Sequence, residues 1–412
     1  MTMRRRAELA TGGSARVVVL IAPPGFRCTE LLAELSPQPA DVVRLTAERA
    51  VGALRELGRS TVPSLLVIDD IDQLDPSEQQ AVGREVEAAV DGSLNLNVAI
   101  LSRTRPQLPL GRWQVEEFAE VVMIDRLLLD APALHAELGL DGAQLELALE
   151  STGGWPSAVS LLAQHLKRRS FASALVAARS EHVRFVAEEV LPILSEPERQ
   201  LLGSLTVLDR LNDTAVTRFT GDDAAPGELR SLAERTQLLG IATAELTWHP
   251  DVRAALEQDL ERAEPGSRPS RHRAAAAALA HDRSQLSAQL DHLVQADAWD
   301  EVLELLAQRW REFVEPDRLD GLVGVVTSMP RDLVAHDVSL SLGAGAILLI
   351  WGDAVTATDF FDADCVQSEP AAMATAAALL AHATWWSTAP ERALDLAEVA
   401  EQFLDGGPDV AL

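Results

Sequence analysis

Lysine is almost missing from this chain: Lys167 is the single example in 412 residues. Tyrosine is absent, and aromatic residues make up only 4%. Basic residues number 35 against 63 acidic ones, a formal net charge of −28. A surface that grips nucleic acid along its length needs a basic face for the phosphates, so this balance excludes that class for the chain as a whole. Two cysteines, Cys28 and Cys365, rule out a disulfide scaffold and a cysteine-rich metal site, and they fit a reducing, cytoplasmic setting. The nine histidines form no HxxxH or HExxH pattern, so no metal cluster is expected. The start Met1 to Arg6 is charged, but the apolar run that follows, Val17 to Pro24, is too short for a signal-peptide core. The longest charge-free stretch, Pro370 to Pro390, is alanine-rich and carries His382 and two tryptophans; it reads as a buried helix rather than a membrane span.

What is present is apolar patterning: 47% hydrophobic residues, over a length suited to two or three domains. Val17–Ile21, Val42–Leu45, Ser64–Ile68, Asn97–Leu101 and Val121–Ile124 read as strands separated by helical patterns. Strands this apolar are buried on both faces, which predicts a parallel sheet flanked by helices. Beyond about residue 126 strand signals nearly vanish and helical periodicity dominates, with breaks at Gly153–Pro156, Gly221–Gly227 and Pro265–Ser267. The last break is polar and reads as a linker. After it the chain reads as helix pairs with tight turns at 296–299, 351–353 and 387–390, the last two about 36 residues apart, near a tetratricopeptide-like period. The expected division is 1–125, 126–264 and 265–412: α/β first, then all-α. The aromatic residues Trp351, Phe360, Phe361, Trp385 and Trp386 are expected in the core of the last part.

The first strand runs into Ala22-Pro23-Pro24-Gly25-Phe26-Arg27-Cys28-Thr29. A working phosphate loop needs a glycine turn followed by Gly-Lys-Ser/Thr at a helix start. Backbone N–H groups then wrap the phosphates, the lysine neutralises their oxygens, and the hydroxyl holds magnesium. Here Gly25 supplies the turn and Thr29 the hydroxyl, but Arg27 stands at the second glycine and Cys28 at the lysine. A bias from lysine to arginine would place arginine at the lysine position, so cysteine there reads as loss of the group. Leu65–Asp70 is an apolar strand ending in two carboxylates, the form that holds magnesium and polarises water beside such a loop. Asp69 is a candidate magnesium ligand together with Thr29, and Asp70 is vestigial beside it. Arg103, after a third strand, is either a γ-phosphate sensor or a surface arginine. Cys28 carries two readings as well: a helix N-terminus beside an arginine depresses a thiol's pKa and activates it, whereas a small half-buried side chain is inert.

Taken in order, these motifs resemble the STAND-class signal-transduction ATPases, in particular the large ATP-dependent regulators of the maltose-activator, LuxR-type kind. Ala22–Leu32 resembles that family's phosphate loop, Leu66–Asp70 its acidic strand, Leu101–Pro106 its Thr-Ser-Arg-x-x-Pro segment, Gly154-Trp155-Pro156 its Gly-Trp-Pro turn, and Trp248–Arg253 the end of its winged helix. The resemblance implies a P-loop NTPase-like domain, a helical and winged-helix region, and tetratricopeptide-like repeats that sense an effector. It also implies that Trp155 and Pro156 lie near the adenine or sugar and that His249 approaches the phosphates. With the lysine missing, the expectation is a degenerate ATPase with weak or no binding of ATP or ADP. No helix-turn-helix follows the repeats before Leu412, so direct nucleic-acid contact by this chain is not expected. The expected partner is a small molecule or protein on the repeats; oligomerisation is compatible with this, and a membrane is not involved.

Overall fold

The computed structural model describes residues 16–28, 42–57, 64–93, 95–241, 245–280, 282–313 and 319–385. Thr29, the break at 387–390 and Trp386 lie outside them. The chain divides into two compact units, 1–265 and 266–412.

Unit 1 opens with a parallel sheet of β1 (Val17–Ile21), β2 (Val42–Thr46), β3 (Ser64–Asp69), β4 (Leu96–Ser102) and β5 (Ala119–Val122), in the spatial order β2-β3-β4-β1-β5. This is a P-loop NTPase-like sheet: β4 is inserted between the strand that carries the phosphate-loop sequence and the strand that ends in the two acids. The register sets Val19 beside both Ile100 and Val121, and Ile68 beside Ile100. All strands therefore end on one edge, where α/β sheets hold their ligands. Val19, Ile21, Leu66, Ile68, Val98 and Ile100 form the core with Ala50 and Leu54 of α1 (Ala47–Leu57) and Val82, Val86 and Val90 of α2 (Pro76–Gly92). The four-residue spacing in α2 places its apolar side chains on one face. Asp75 starts that helix with a capping box closed by Glu78, and Pro76 fills the first position. The last strand begins and ends two residues earlier than its apolar run suggests: Ile124 already starts a short helix, Ile124–Leu127.

The helical remainder of unit 1 comprises α3 (Ala131–Leu138), α4 (Gly142–Thr152), α5 (Pro156–Leu166), α6 (Phe171–Phe185), α7 (Glu196–Leu205), α8 (Asp213–Thr220), α9 (Ala225–Thr236) and α10 (Pro250–Ala263). The turn before α9 is shorter than its glycines suggest: Gly221 caps α8 in the left-handed region, while Gly227 lies inside α9 because Pro226 suits a first helical turn. Three short strands form here all the same. Leu211–Asn212 (β6), Leu239–Ile241 (β7) and Glu245–Trp248 (β8) form an antiparallel sheet in the order β6-β8-β7. Runs of two to four residues are too short to show a period of two. Lys167, Arg168 and Arg169 are exposed at the end of α5, where cations suit the helix dipole.

Unit 2 is a succession of helices: α11 (Arg268–Leu279), α12 (Leu286–Gln295), α13 (Trp299–Phe313), α14 (Leu319–Ser328), α15 (Val338–Trp351), α16 (Ala354–Phe361) and α17 (Pro370–Trp385). Leu286, Leu290, Leu293, Val302 and Val325 build one core cluster, and Ala344, Leu348, Ala357, Phe361 and Val366 a second. Trp351 is not core: it is 48% exposed at the end of α15, where the helix stops at a left-handed Gly352. No helix among the described residues is long and apolar enough to cross a membrane.

Two glycines of α15 give a direct test of this packing. A Cβ at Gly345 would lie 2.3–2.9 Å from ring atoms of Phe361, whereas one at Gly343 would meet nothing within 4 Å. Helix propensity favours alanine over glycine by about 1 kcal/mol, and overpacking a core costs about 1–3 kcal/mol. Gly345→Ala is therefore expected to destabilise unit 2 by up to about 2 kcal/mol, and Gly343→Ala to stabilise it by up to about 1 kcal/mol. Urea unfolding of the two variants checks the opposite signs.

Candidate functional site

The phosphate-loop sequence leaves β1 at the ligand edge of the sheet, tied to β4 by a hydrogen bond from the Ala22 N–H to the Ser102 carbonyl (3.0 Å). Gly25 turns the chain at φ 97°, and Arg27, where a glycine is expected, adopts the left-handed φ of 55°. Its guanidinium points across to the helical segment, 3.6 Å from Glu137 of α3 and 3.5 Å from Ser160 of α5. Phe26 is buried, with its ring centroid 5.0 Å from that of Trp155.

Cys28 follows, half-buried. Burial, reinforced by the Asp69 carboxylate, pushes its thiol up to about 12. These surroundings favour the inert reading of Cys28: Arg27 faces Glu137, and an acid stands near the sulfur. Cys28 is expected to resist iodoacetamide at pH 8 in the folded protein and to react in urea, as read by mass spectrometry.

At the end of β3, Asp69 pairs with Arg44 of β2 and accepts the Asp70 N–H (3.0 Å). Asp70 takes the left-handed φ of 55°, a conformation its short polar side chain tolerates, and pairs with Arg103 at 3.1 Å. The Arg103 N–H donates to Asp72 at 2.9 Å. Each of the two acids thus faces a guanidinium. Arg44, which reading the sequence did not single out, comes from an edge strand whose pairing sets Thr46 beside Asp69.

Gly153 and Gly154 follow α4 at φ 54° and 74°, where a side chain is strained. They also have no space for one: a Cβ at Gly153 would lie 2.5 Å from the His249 ring, and one at Gly154 2.4 Å from the Leu129 carbonyl. This double turn drives Trp155 into the interior and starts α5 at Pro156. Trp155 is fully buried, edge-on to the rings of His182 and His249 with centroids 5.3 and 4.6 Å away. The Ser157 N–H donates to the Gly25 carbonyl at 3.0 Å, so the start of α5 rests on the loop.

His249 caps α10. Its Nδ1 accepts the Asp251 N–H (3.3 Å), and its Nε2 lies 3.3 Å from the Thr152 carbonyl, an arrangement for a neutral ring with the proton on Nε2. Burial lowers its pKa to about 4, against the opposing pull of Asp251. Gly25, Trp155, Pro156 and His249 thus lie in one neighbourhood joined by Trp155, while Cys28, Asp69, Asp70 and Arg103 lie at the ends of β1, β3 and β4. Reading the sequence missed Ser157, His182 and Asp251, which belong to the same neighbourhood: His182 Nδ1 is 2.6 Å from Asp251, and its Nε2 is 2.9 Å from the Ser157 hydroxyl.

No family profile matches the chain. Over 340 residues, 76% of this chain, it is 24% identical to the HTH-type transcriptional regulator MalT of Vibrio campbellii, and it is equally similar to that of Vibrio parahaemolyticus over 339 residues. The match spans 37% of the length of each relative. Among solved structures, a Walker-type ATPase of Pyrococcus abyssi aligns with 62% of this chain and 94% of its own at 11% identity (TM-score 0.45). A STAND protein with a tetratricopeptide repeat sensor from Pyrococcus horikoshii aligns with 98% of this chain and 71% of its own at 12% identity (TM-score 0.30).

Proposed function

We propose that the chain is part of a STAND-type signal-transduction regulator of transcription whose nucleotide site is inactive. Its helical repeats in unit 2 receive a small-molecule or protein effector, and segment 196–263 of unit 1 serves as its winged helix. The observation that carries the reading is the phosphate loop in its proper place after β1 with Arg27-Cys28 where Gly-Lys belongs, in a chain similar to MalT over most of its length. The other parts of the site support it. A magnesium nucleotide needs a cation at the loop and free carboxylates at the acidic strand, whereas here Arg27 turns to Glu137 and the two acids are matched by Arg44 and Arg103. These pairings support a site that has lost that cofactor. Direct nucleic-acid binding by this chain is opposed by its charge of −28 and by the exposed Glu228 and Glu234 on α9.

Titration of magnesium-ATP and ADP into the protein, beside Arg27→Gly/Cys28→Lys, tests the reading. No heat signal is expected from the wild type. The double variant restores the glycine turn and the cation at the phosphates, so it is expected to bind where the wild type is silent. Tight binding by the wild type would instead make the chain a nucleotide-gated switch. Silence from both would mean that the loss of the site goes deeper than these two residues.

A further inference from the structure

Three segments of unit 1 that are distant in sequence meet along one line of hydrogen bonds. Asp251, in the first turn of α10, is 1% exposed and sits 2.6 Å from Nδ1 of His182 on α6, which is completely buried. The other ring nitrogen of His182 is 2.9 Å from the Ser157 hydroxyl at the start of α5. The Ser157 N–H continues the line to the Gly25 carbonyl in the phosphate loop. With its Nδ1 proton held by the carboxylate, the imidazole presents Nε2 as the acceptor for the serine O–H, so both of its polar atoms are satisfied. Arg179 lies 3.6 Å from the second oxygen of Asp251. Phe185 stacks on the His182 ring and Trp155 meets it edge-on, which fixes its orientation.

The order Asp, His, Ser is that of a hydrolase relay. The hydroxyl, however, is turned onto the loop: a Cβ at Gly25 would lie 2.5 Å from Ser157 Oγ, 2.8 Å from Trp155 Nε1 and 3.0 Å from Phe185. That crowding leaves no space on this side for an acyl group. The line instead joins the loop, the α5–α6 pair and α10.

We propose that Asp251, His182 and the Ser157 hydroxyl, continued by the Ser157 backbone N–H to the Gly25 carbonyl, form a latch that holds the phosphate loop, α5–α6 and the 196–263 segment in one arrangement. A buried, charge-assisted chain of this kind is cooperative, because deleting one member leaves its neighbours unsatisfied in a dry interior. Opening unit 1 between α6 and α10 therefore requires breaking it. The inference rests on the geometry of unit 1 alone and stands or falls separately from the regulatory reading.

Hydrogen exchange on the full chain without nucleotide tests it, read on the peptides covering residues 16–28 and 245–256. Ser157→Ala, which removes one hydroxyl, is expected to speed exchange about tenfold in both peptides and to leave α2 unchanged. Asp251→Asn is expected to do the same, and the double variant to exchange no faster than the faster single one. Independent effects that multiply in the double variant would overturn the latch. So would wild-type exchange of residues 250–256 in Ser157→Ala, which decides the question alone if Asp251→Asn does not fold.

Discussion

Replacing Trp155 with alanine is expected to destabilise unit 1 by about 3–5 kcal/mol, the range for emptying a buried large aromatic site. In a unit of this size the melting temperature then falls by roughly 10 °C. Trp155 touches Phe26 of the loop, His182 of α6 and His249 at the cap of α10, so its removal unpacks three segments at once. Gly153 and Gly154 cannot take side chains, so the turn cannot fill the void. Its indole Nε1 is buried without a hydrogen-bond partner, an arrangement that costs about 1–3 kcal/mol. Trp155→Phe keeps a ring and discards the orphaned donor, so it should lose less than half as much as alanine. Calorimetry of the three proteins checks both the size and the order of the effects. Equal losses in the two variants would mean that the packing of the ring is not what holds this neighbourhood together.

How much of this was readable beforehand depended on whether the signal was local. β1, β3 and β4 are buried on both faces, and their runs of branched apolar residues stand out against polar flanks. β5 slid by two residues because it is an edge strand, buried at its two ends and half-buried between them, and the apolar Met123-Ile124 continues past its end. The site divides in the same way. Gly25, Asp69, Asp70 and the Gly-Trp-Pro turn sit inside short motifs at the ends of strands and helices. Ser157, His182 and Asp251 have no such frame: 25 residues separate the first pair and 69 the second, on three helices whose packing brings them together. An isolated serine, histidine or aspartate on a helix carries no spacing to read. Arg44 was missed for a related reason, since its partner Asp69 is its neighbour only across the β2–β3 register. Cys28 has two sequence readings, and its surroundings in space favour the inert one. Its neighbours in sequence point to an activated thiol, while its neighbours in space, including Asp69, raise its pKa.

Acidification should unfold unit 1 earlier than a chain of this charge suggests, and His249 is the reason. Burial holds its pKa near 4 in the folded protein, against about 6.5 when unfolded. Between those values the unfolded chain binds a proton that the folded one refuses, so stability rises with pH through this window and is lost as the pH falls through it. At 1.4 kcal/mol per unit the loss from pH 7 to pH 4 is at most ~3 kcal/mol. The groups around the ring explain the direction. The Thr152 carbonyl and Asp251 pull the pKa up, His182 pushes it down, and desolvation outweighs them all. General charge effects act the other way: the chain carries −28 at neutral pH, and protonating exposed carboxylates relieves their mutual repulsion. His249→Gln separates the two, because it retains an acceptor for the Asp251 N–H and cannot titrate. Its melting temperature should fall less than that of the wild type between pH 7 and 4.5. Parallel curves would show that the acid response comes from elsewhere in the unit. A converging pair would place it at the cap of α10, where a protonated His249 has to give up its acceptor role toward Asp251 while remaining buried beneath Trp155.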